Sequence, residues 1–194
     1  MAAAIKSMNY SLLKTSRAAL CGFLLLVALP ICIQGQERNS GQQSELIAAA
    51  REIMVKARYC ALITRGPSGR AEARTLDAFP PDANFVVWLG TNPRSRKVKA
   101  IRQHSRVTLY YFDRDSEAYV TLYGIAHLVN DPAMKTQWWK EEWKTFYPDR
   151  AKDYLLIRVT PEKLEVVDVK KGIVGDSKTW KPPAVVFSNG KAND

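Results

Sequence analysis

The sequence has little histidine and little cysteine, two and three among 194 residues. Three cysteines are too few for a disulfide scaffold. His104 and His127 are too isolated to suggest a metal set, and Cys60 has no partner at ligand spacing. Gly-x-Ser-x-Gly, Walker and Gly-x-Gly-x-x-Gly motifs are missing, which removes the usual signatures of α/β-hydrolases, P-loop enzymes and dinucleotide-binding folds. No carboxylate pair stands out as acid–base machinery, and no internal repeat is visible. With 46% hydrophobic and 25% charged residues, the composition is that of one ordinary globular domain, not of a disordered or collagen-like chain.

Acid is the scarcer charge. Nineteen Asp and Glu face 29 Lys and Arg, a net charge of +10. Such an excess invites a nucleic-acid reading, but the basic residues are scattered rather than striped, which argues against it. Residues 1–35 contain Lys6, Lys14 and Arg17 and no acid. An uncharged apolar run over 18–33 follows, then polar Gln34-Gly35-Gln36-Glu37, the order of a secretory signal peptide. The run is short for a membrane span and Pro30 interrupts it; an uncleaved N-terminal membrane anchor is the alternative. The expectation is an exported protein, periplasmic or secreted. No twin-arginine pair precedes the run, so the chain would cross unfolded and acquire any cofactor outside.

Residues 36–44 read as a polar, flexible linker. Leu46, Ala50, Ile53 and Ala57, with Ile47 and Met54, recur at helical spacing behind Ser44-Glu45 and predict an amphipathic helix over 45–57. β-prone runs follow at 59–64, 70–78, 85–89, 107–112, 119–129, 155–159 and 164–167. Turn clusters separate them, among them Gly66-Pro67-Ser68-Gly69 and Thr160-Pro161-Glu162. Gly124 inside the fifth run marks a bulge or a close approach. Asn92-Pro93 opens a short helix to about Gln103, and Asp131-Pro132 opens another to about Thr145 that carries Trp138, Trp139 and Trp143. At least two of these tryptophans read as packing residues. After Val169 the chain is a Lys-, Gly- and Pro-rich tail, 169–194, with little core potential. Short strands with few helices between them point to a small antiparallel β-barrel with flanking helices.

The most informative stretch is Gly90-Thr91-Asn92-Pro93-Arg94-Ser95-Arg96-Lys97. It puts three cations at the first turn of a helix, the end that already carries partial positive charge. A bound anion would reverse that cost, with backbone N–H groups, a Ser hydroxyl and the cations forming a phosphate cradle. A solvated basic turn is the alternative. Arg74, in Arg74-Thr75-Leu76, would add a further cation from the second strand.

These pieces, in order, resemble the split β-barrel flavin-binding proteins related to pyridoxamine 5'-phosphate oxidase, and within them the general stress protein branch. The resemblance covers residues 45–168. It rests on the Tyr59–Thr64 strand and its Gly turn, Arg74-Thr75-Leu76, Ser95-Arg96-Lys97, Ser105-Arg106-Val107-Thr108-Leu109 and Tyr119-Val120-Thr121-Leu122-Tyr123-Gly124. Phe146-Tyr147-Pro148 and Leu156-Ile157-Arg158-Val159-Thr160-Pro161-Glu162 complete it. It implies a homodimer with FMN at the subunit interface and a flavin-dependent oxidoreductase of unknown small-molecule substrate. Arg74, Ser95, Arg96 and Lys97 would hold the FMN phosphate. Thr75, Leu76, Gly90 and Thr91 would line the ribityl chain and ring edge, and Tyr119 stands where the oxidase has a polar ring contact. The oxidase's C-terminal Arg-x-His substrate motif is missing, so oxidation of pyridoxamine phosphate is not supported. The alternative is a non-catalytic exported binder of flavin, haem or a similar anionic planar ligand.

Overall fold

Alternation of buried and outward side chains organises most of the sheet. The computed structural model describes residues 29–188, 191 and 192, with side chains from 41 to 188. Its strands are β1 (Tyr59–Arg65), β2 (Ala71–Asp77), β3 (Val87–Thr91), β4 (Arg106–Asp113), β5 (Ala118–Val129), β6 (Leu155–Val167), β7 (Ala184–Ser188) and the short β8 (Lys191–Ala192). Their order is β2-β1-β4-β5-β6-β7-β8, with β3 also paired to β6, and every pairing is antiparallel. Ala78 bridges Leu89, and the Phe79 N–H donates to the Trp88 carbonyl at 3.0 Å. The end of β2 thereby meets β3, and the sheet closes on itself as a split barrel.

Inside lie Leu62, Leu109, Tyr111, Val120, Leu122, Leu164 and Val166, each at most 1% exposed. Full burial of each such aliphatic side chain contributes roughly 1.5–3 kcal/mol. Leu46, Ala50, Ile53 and Met54 of α1 (Leu29–Ala57) pack against this core, as the helical spacing predicts. The described residues from 40 onward form one compact unit. The helix covers residues 36–44 in full, so they are helical rather than a coil linker. Their Gln, Glu and Arg are good helix formers. The signal peptide or anchor expected over 1–35 lies, up to residue 28, outside the described residues. Among the described residues no helix is long and apolar enough to cross a membrane.

Three other expectations change. The two closing strands are one, β6, because Pro161 falls opposite Gly124, where β5 shifts register. A proline lacks the N–H for a regular ladder, and a bulge removes the need for it. A Cβ on Gly124 would stand 2.4 Å from the Thr160 carbonyl oxygen, so close approach and bulge are both real. The tail is not inert: β7 pairs with β6, and Val185 and Phe187 enter the core. The tryptophan helix is broken into α3 (Pro132–Gln137) and a 3-10 turn (Glu141–Thr145), followed by α4 (Arg150–Asp153). The break lets Trp138 stack on Trp88, with ring centroids 5.2 Å apart, while Trp139 and Trp143 pack on Tyr154. The Tyr154 hydroxyl donates to the Trp138 carbonyl that the break frees.

Candidate functional site

β3 runs out at Thr91, and the turn Asn92-Pro93-Arg94-Ser95 feeds directly into α2 (Arg96–Gln103). Asn92 organises the turn: its side-chain oxygen accepts from the Arg94 N–H at 2.9 Å and its carbonyl from the Ser95 N–H at 3.0 Å. Ser95 stands at the N-cap, yet its hydroxyl does not cap the helix. It lies 3.2 Å from the Thr91 hydroxyl instead. The Ser95 carbonyl accepts from Val98 at 3.1 Å. The N–H groups of Arg96 and Lys97 open the helix and have no intrahelical acceptor.

Lys97 reaches back over the turn and donates to the Thr91 hydroxyl at 2.9 Å. It is half-buried and makes no ion pair among the described residues. Burial pulls its pKa below the ordinary lysine value, and the positive charge of Arg74 pushes in the same direction. Arg74 comes from the inward face of β2, paired with Leu62 in register. Its guanidinium donates to the Thr64 hydroxyl at 2.6 Å, to the Glu72 carbonyl at 3.0 Å and to the Glu72 carboxylate at 2.7 Å. One carboxylate thus stands beside two cations, and a helix start adds free N–H groups. The arrangement suits a tetrahedral, doubly charged anion.

The structure therefore gathers Arg74, Thr91, Ser95 and Lys97, with Arg96 exposed at the helix start. Other expected residues fall elsewhere. Arg94 turns away and pairs with Asp153 at 2.8 Å. Leu76 is half-buried beside Cys60 and packs against the core, while Thr75, next along β2, points out of the opposite face beside Ala61. Gly90 faces the aromatic cluster: a Cβ there would meet the Trp143 ring at 2.5 Å and the Tyr154 ring at 2.6 Å. Tyr119 lies on the outer face of β5, 5.7 Å from the Tyr110 ring. His104 and His127 are both exposed. Thr64, only 2% exposed, escaped sequence reading. Its signal was its place on the inward row of Cys60 and Leu62, where a hydroxyl needs a buried partner.

The outer face of the barrel is unusually apolar. Tyr59 is 52% exposed, Phe112 51% and Val186 53%, with Tyr110 and Tyr123 also exposed. Strand alternation puts Tyr59, Ala61, Ile63, Thr108, Tyr110, Phe112, Tyr119 and Tyr123 on this one side.

The family model for pyridoxamine 5'-phosphate oxidase-like proteins matches residues 45–179. No curated protein matches the chain. Among solved structures, a Clostridium acetobutylicum protein related to general stress protein 26 is 20% identical, with a TM-score of 0.62 over 74% of this chain and 95% of that one. A pyridoxamine 5'-phosphate oxidase-related, FMN-binding protein from Nostoc punctiforme is 16% identical, with a TM-score of 0.55 over 76% of this chain and 95% of its own. A haem-binding protein from Mycobacterium smegmatis is 16% identical, with a TM-score of 0.51 over 61% and 52% of the two chains. At these identities the structures establish the fold, and the family match establishes the lineage: this chain belongs to the pyridoxamine 5'-phosphate oxidase-like family.

Proposed function

We propose that the protein binds FMN and acts as a flavin-dependent oxidoreductase on a small-molecule substrate. The observation that carries this reading is Lys97, a half-buried cation held by a hydroxyl, with no carboxylate among the described residues to neutralise it and Arg74 close enough to repel it. A phosphate there would satisfy Lys97, the Thr91 and Ser95 hydroxyls, the first N–H groups of α2 and the Arg96 guanidinium together. The residues present fit such a group. Bound flavin would supply hydride or electron transfer. The chain's own part is to anchor the phosphate, desolvate Lys97 and hold Arg74 in place through Thr64.

The exposed tyrosines and Phe112 support a homodimer formed through the outer sheet face, where a contiguous apolar surface marks an interaction site. Tyr119 and Thr75 would then meet a ligand or a second subunit at that interface rather than at the phosphate. The basic and apolar order of residues 1–33 supports export, with loading after translocation.

An absorbance spectrum of the full-length protein, taken before and after incubation with FMN, tests the proposal. Bound flavin bands are expected, and Lys97→Glu should weaken FMN binding by about 100-fold, because it replaces a charged donor with a repelling carboxylate. A protein with no flavin absorbance and no affinity for added FMN would sink it. A Soret band on haem addition would favour the haem-binding alternative, and FMN binding without reduction of any acceptor would favour simple capture. Phe112→Lys should convert the dimer to monomer by light scattering.

A further inference from the structure

A second cation stands apart from the Lys97 cluster and is more deeply buried. Lys135, on α3, is 6% exposed. Its ammonium donates to the Ala151 carbonyl of α4 at 2.9 Å. An ammonium carries three donors, and the other two have no acceptor among the described residues. Burial lowers its pKa from the ordinary lysine value, and the charge of Arg150 adds to this, against a weaker pull from Asp149. Asp149 is itself engaged, pairing with Lys152 at 3.2 Å and accepting from that residue's N–H.

Lys135 lines a pocket of about 260 Å³ with Asn130, Pro132, Thr136, Arg150 and Ala151. Arg150 lies 3.4 Å from the Thr136 hydroxyl and 5.3 Å from the centre of the Trp139 ring, and it makes no ion pair among the described residues. Two cations, a hydroxyl and a primary amide thus line a concavity to which no carboxylate contributes. A buried ammonium with unused donors is costly to leave unpaired. The volume falls just below the ~300–1,000 Å³ of ordinary small-molecule sites, so the occupant is small. We propose that this pocket binds a phosphate-type oxyanion, free or as the head of a small phosphomonoester, between Lys135 and Arg150. The site is independent of the Lys97 cluster.

The test uses the full-length Lys97→Glu protein, in which the first cluster no longer attracts an anion. It is titrated with inorganic phosphate, with sodium chloride at matched ionic strength as control. Tryptophan fluorescence reads the titration, because Arg150 sits over Trp139, and the thermal midpoint gives a second readout. A saturable response to phosphate alone is expected. Lys135→Met should weaken it by about ten-fold or more, the scale of one charge-assisted hydrogen bond, and Arg150→Gln by somewhat less. Equal titrations in all three proteins, or a response that chloride reproduces, would overturn the proposal. If Lys135→Met does not fold, the exposed Arg150→Gln decides by the same criterion. A parallel titration with glycerol phosphate identifies the source. Tighter binding than inorganic phosphate points to an ester and equal or weaker binding to the free ion, and either supports the site.

Discussion

Arg74 and Asp77 stand three residues apart on β2, and each gathers opposite charge in a different way. Asp77 is saturated. Arg58 donates to both its oxygens at 3.0 and 2.9 Å, Lys140 to one at 2.7 Å and the Trp143 indole to the other at 3.3 Å. Burial pushes the Asp77 pKa up, yet Arg58 and Lys140 together outweigh it and leave the carboxyl below its ordinary value. Around Arg74 the balance is reversed: among the described residues Glu72 is the one carboxylate it pairs with, and Lys97 has none. A saturated cluster ties the 3-10 turn and the end of α1 to the sheet. An unsaturated one leaves attraction over for something that is not part of the chain. The contrast separates a structural ion network from the proposed binding site more sharply than charge count does.

Removing Asp77 should therefore have the largest effect on stability. Asp77→Ala leaves the largely buried Lys140 with no carboxylate, only the Ala78 carbonyl at 3.2 Å, and the Trp143 N–H without its acceptor, and should cost about 3 kcal/mol. That corresponds to a thermal midpoint lower by roughly 6–12 °C. Arg74→Ala should cost less, since relieved repulsion on Lys97 offsets part of the loss from the stranded Thr64 hydroxyl and Glu72 carboxylate; equal losses would erase the contrast. Acid sharpens it further. Asp77's folded pKa is lowered, so its stabilisation is full above the unfolded value near 4 and is lost as pH falls through the folded value. Urea melts from pH 5 to 2 should show a shallower acid loss in Asp77→Asn than in the parent.

Gly90 sits between the two clusters. Thr91, next to it, belongs to the Lys97 cluster, while the missing Cβ makes room for Trp143, which bonds Asp77. Gly90→Ala would press on two rigid rings and should destabilise by about 1–3 kcal/mol in chemical denaturation. Combined with Asp77→Ala it should cost less than the two single losses together, because both act through Trp143. Strict additivity would show that the aromatic packing and the ion network are separate.

Much of this was legible in the sequence. The strand runs, the helix spacing around Leu46 and Ile53, and the Gly124 bulge follow from local periodicity and from a glycine no side chain could replace. Arg96 and Lys97 were legible because cations at a helix start are electrostatically unfavourable without an anion, and Arg74 as a further cation offered from the second strand. What stayed hidden depends on distant partners. Pro161 interrupts a strand pattern locally, but Gly124 lies opposite and absorbs it. The break at Trp138 is made by Trp88 and Tyr154, and nothing near Trp138 in the chain announces either. Arg94 looks equivalent to Arg96 until Asp153, far along the chain, takes it. Asp77 was invisible for the same reason, since its partners Arg58, Lys140 and Trp143 are spread over the chain.

The smallest effect distinguishes the two clusters by sign. Lys97→Met keeps the length of the side chain and removes a charge that burial and Arg74 both disfavour. The unliganded protein should become more stable, by up to about 1 kcal/mol, while FMN affinity falls. The pH dependence follows the same sign. Lys97's folded pKa lies below its unfolded value, so in the alkaline window beneath 10.5 the unfolded chain holds the proton more tightly. Stability then gains from this residue as pH rises, and affinity for a phosphate declines over the same window, because the neutral amine no longer attracts it. Lys97→Met should show neither the alkaline gain in melts nor the alkaline decline in FMN titrations. If Lys97→Met instead destabilised the unliganded protein as Asp77→Ala does, Lys97 would be a structural cation. The unsaturated cluster would then be a second version of the Asp77 network rather than its opposite.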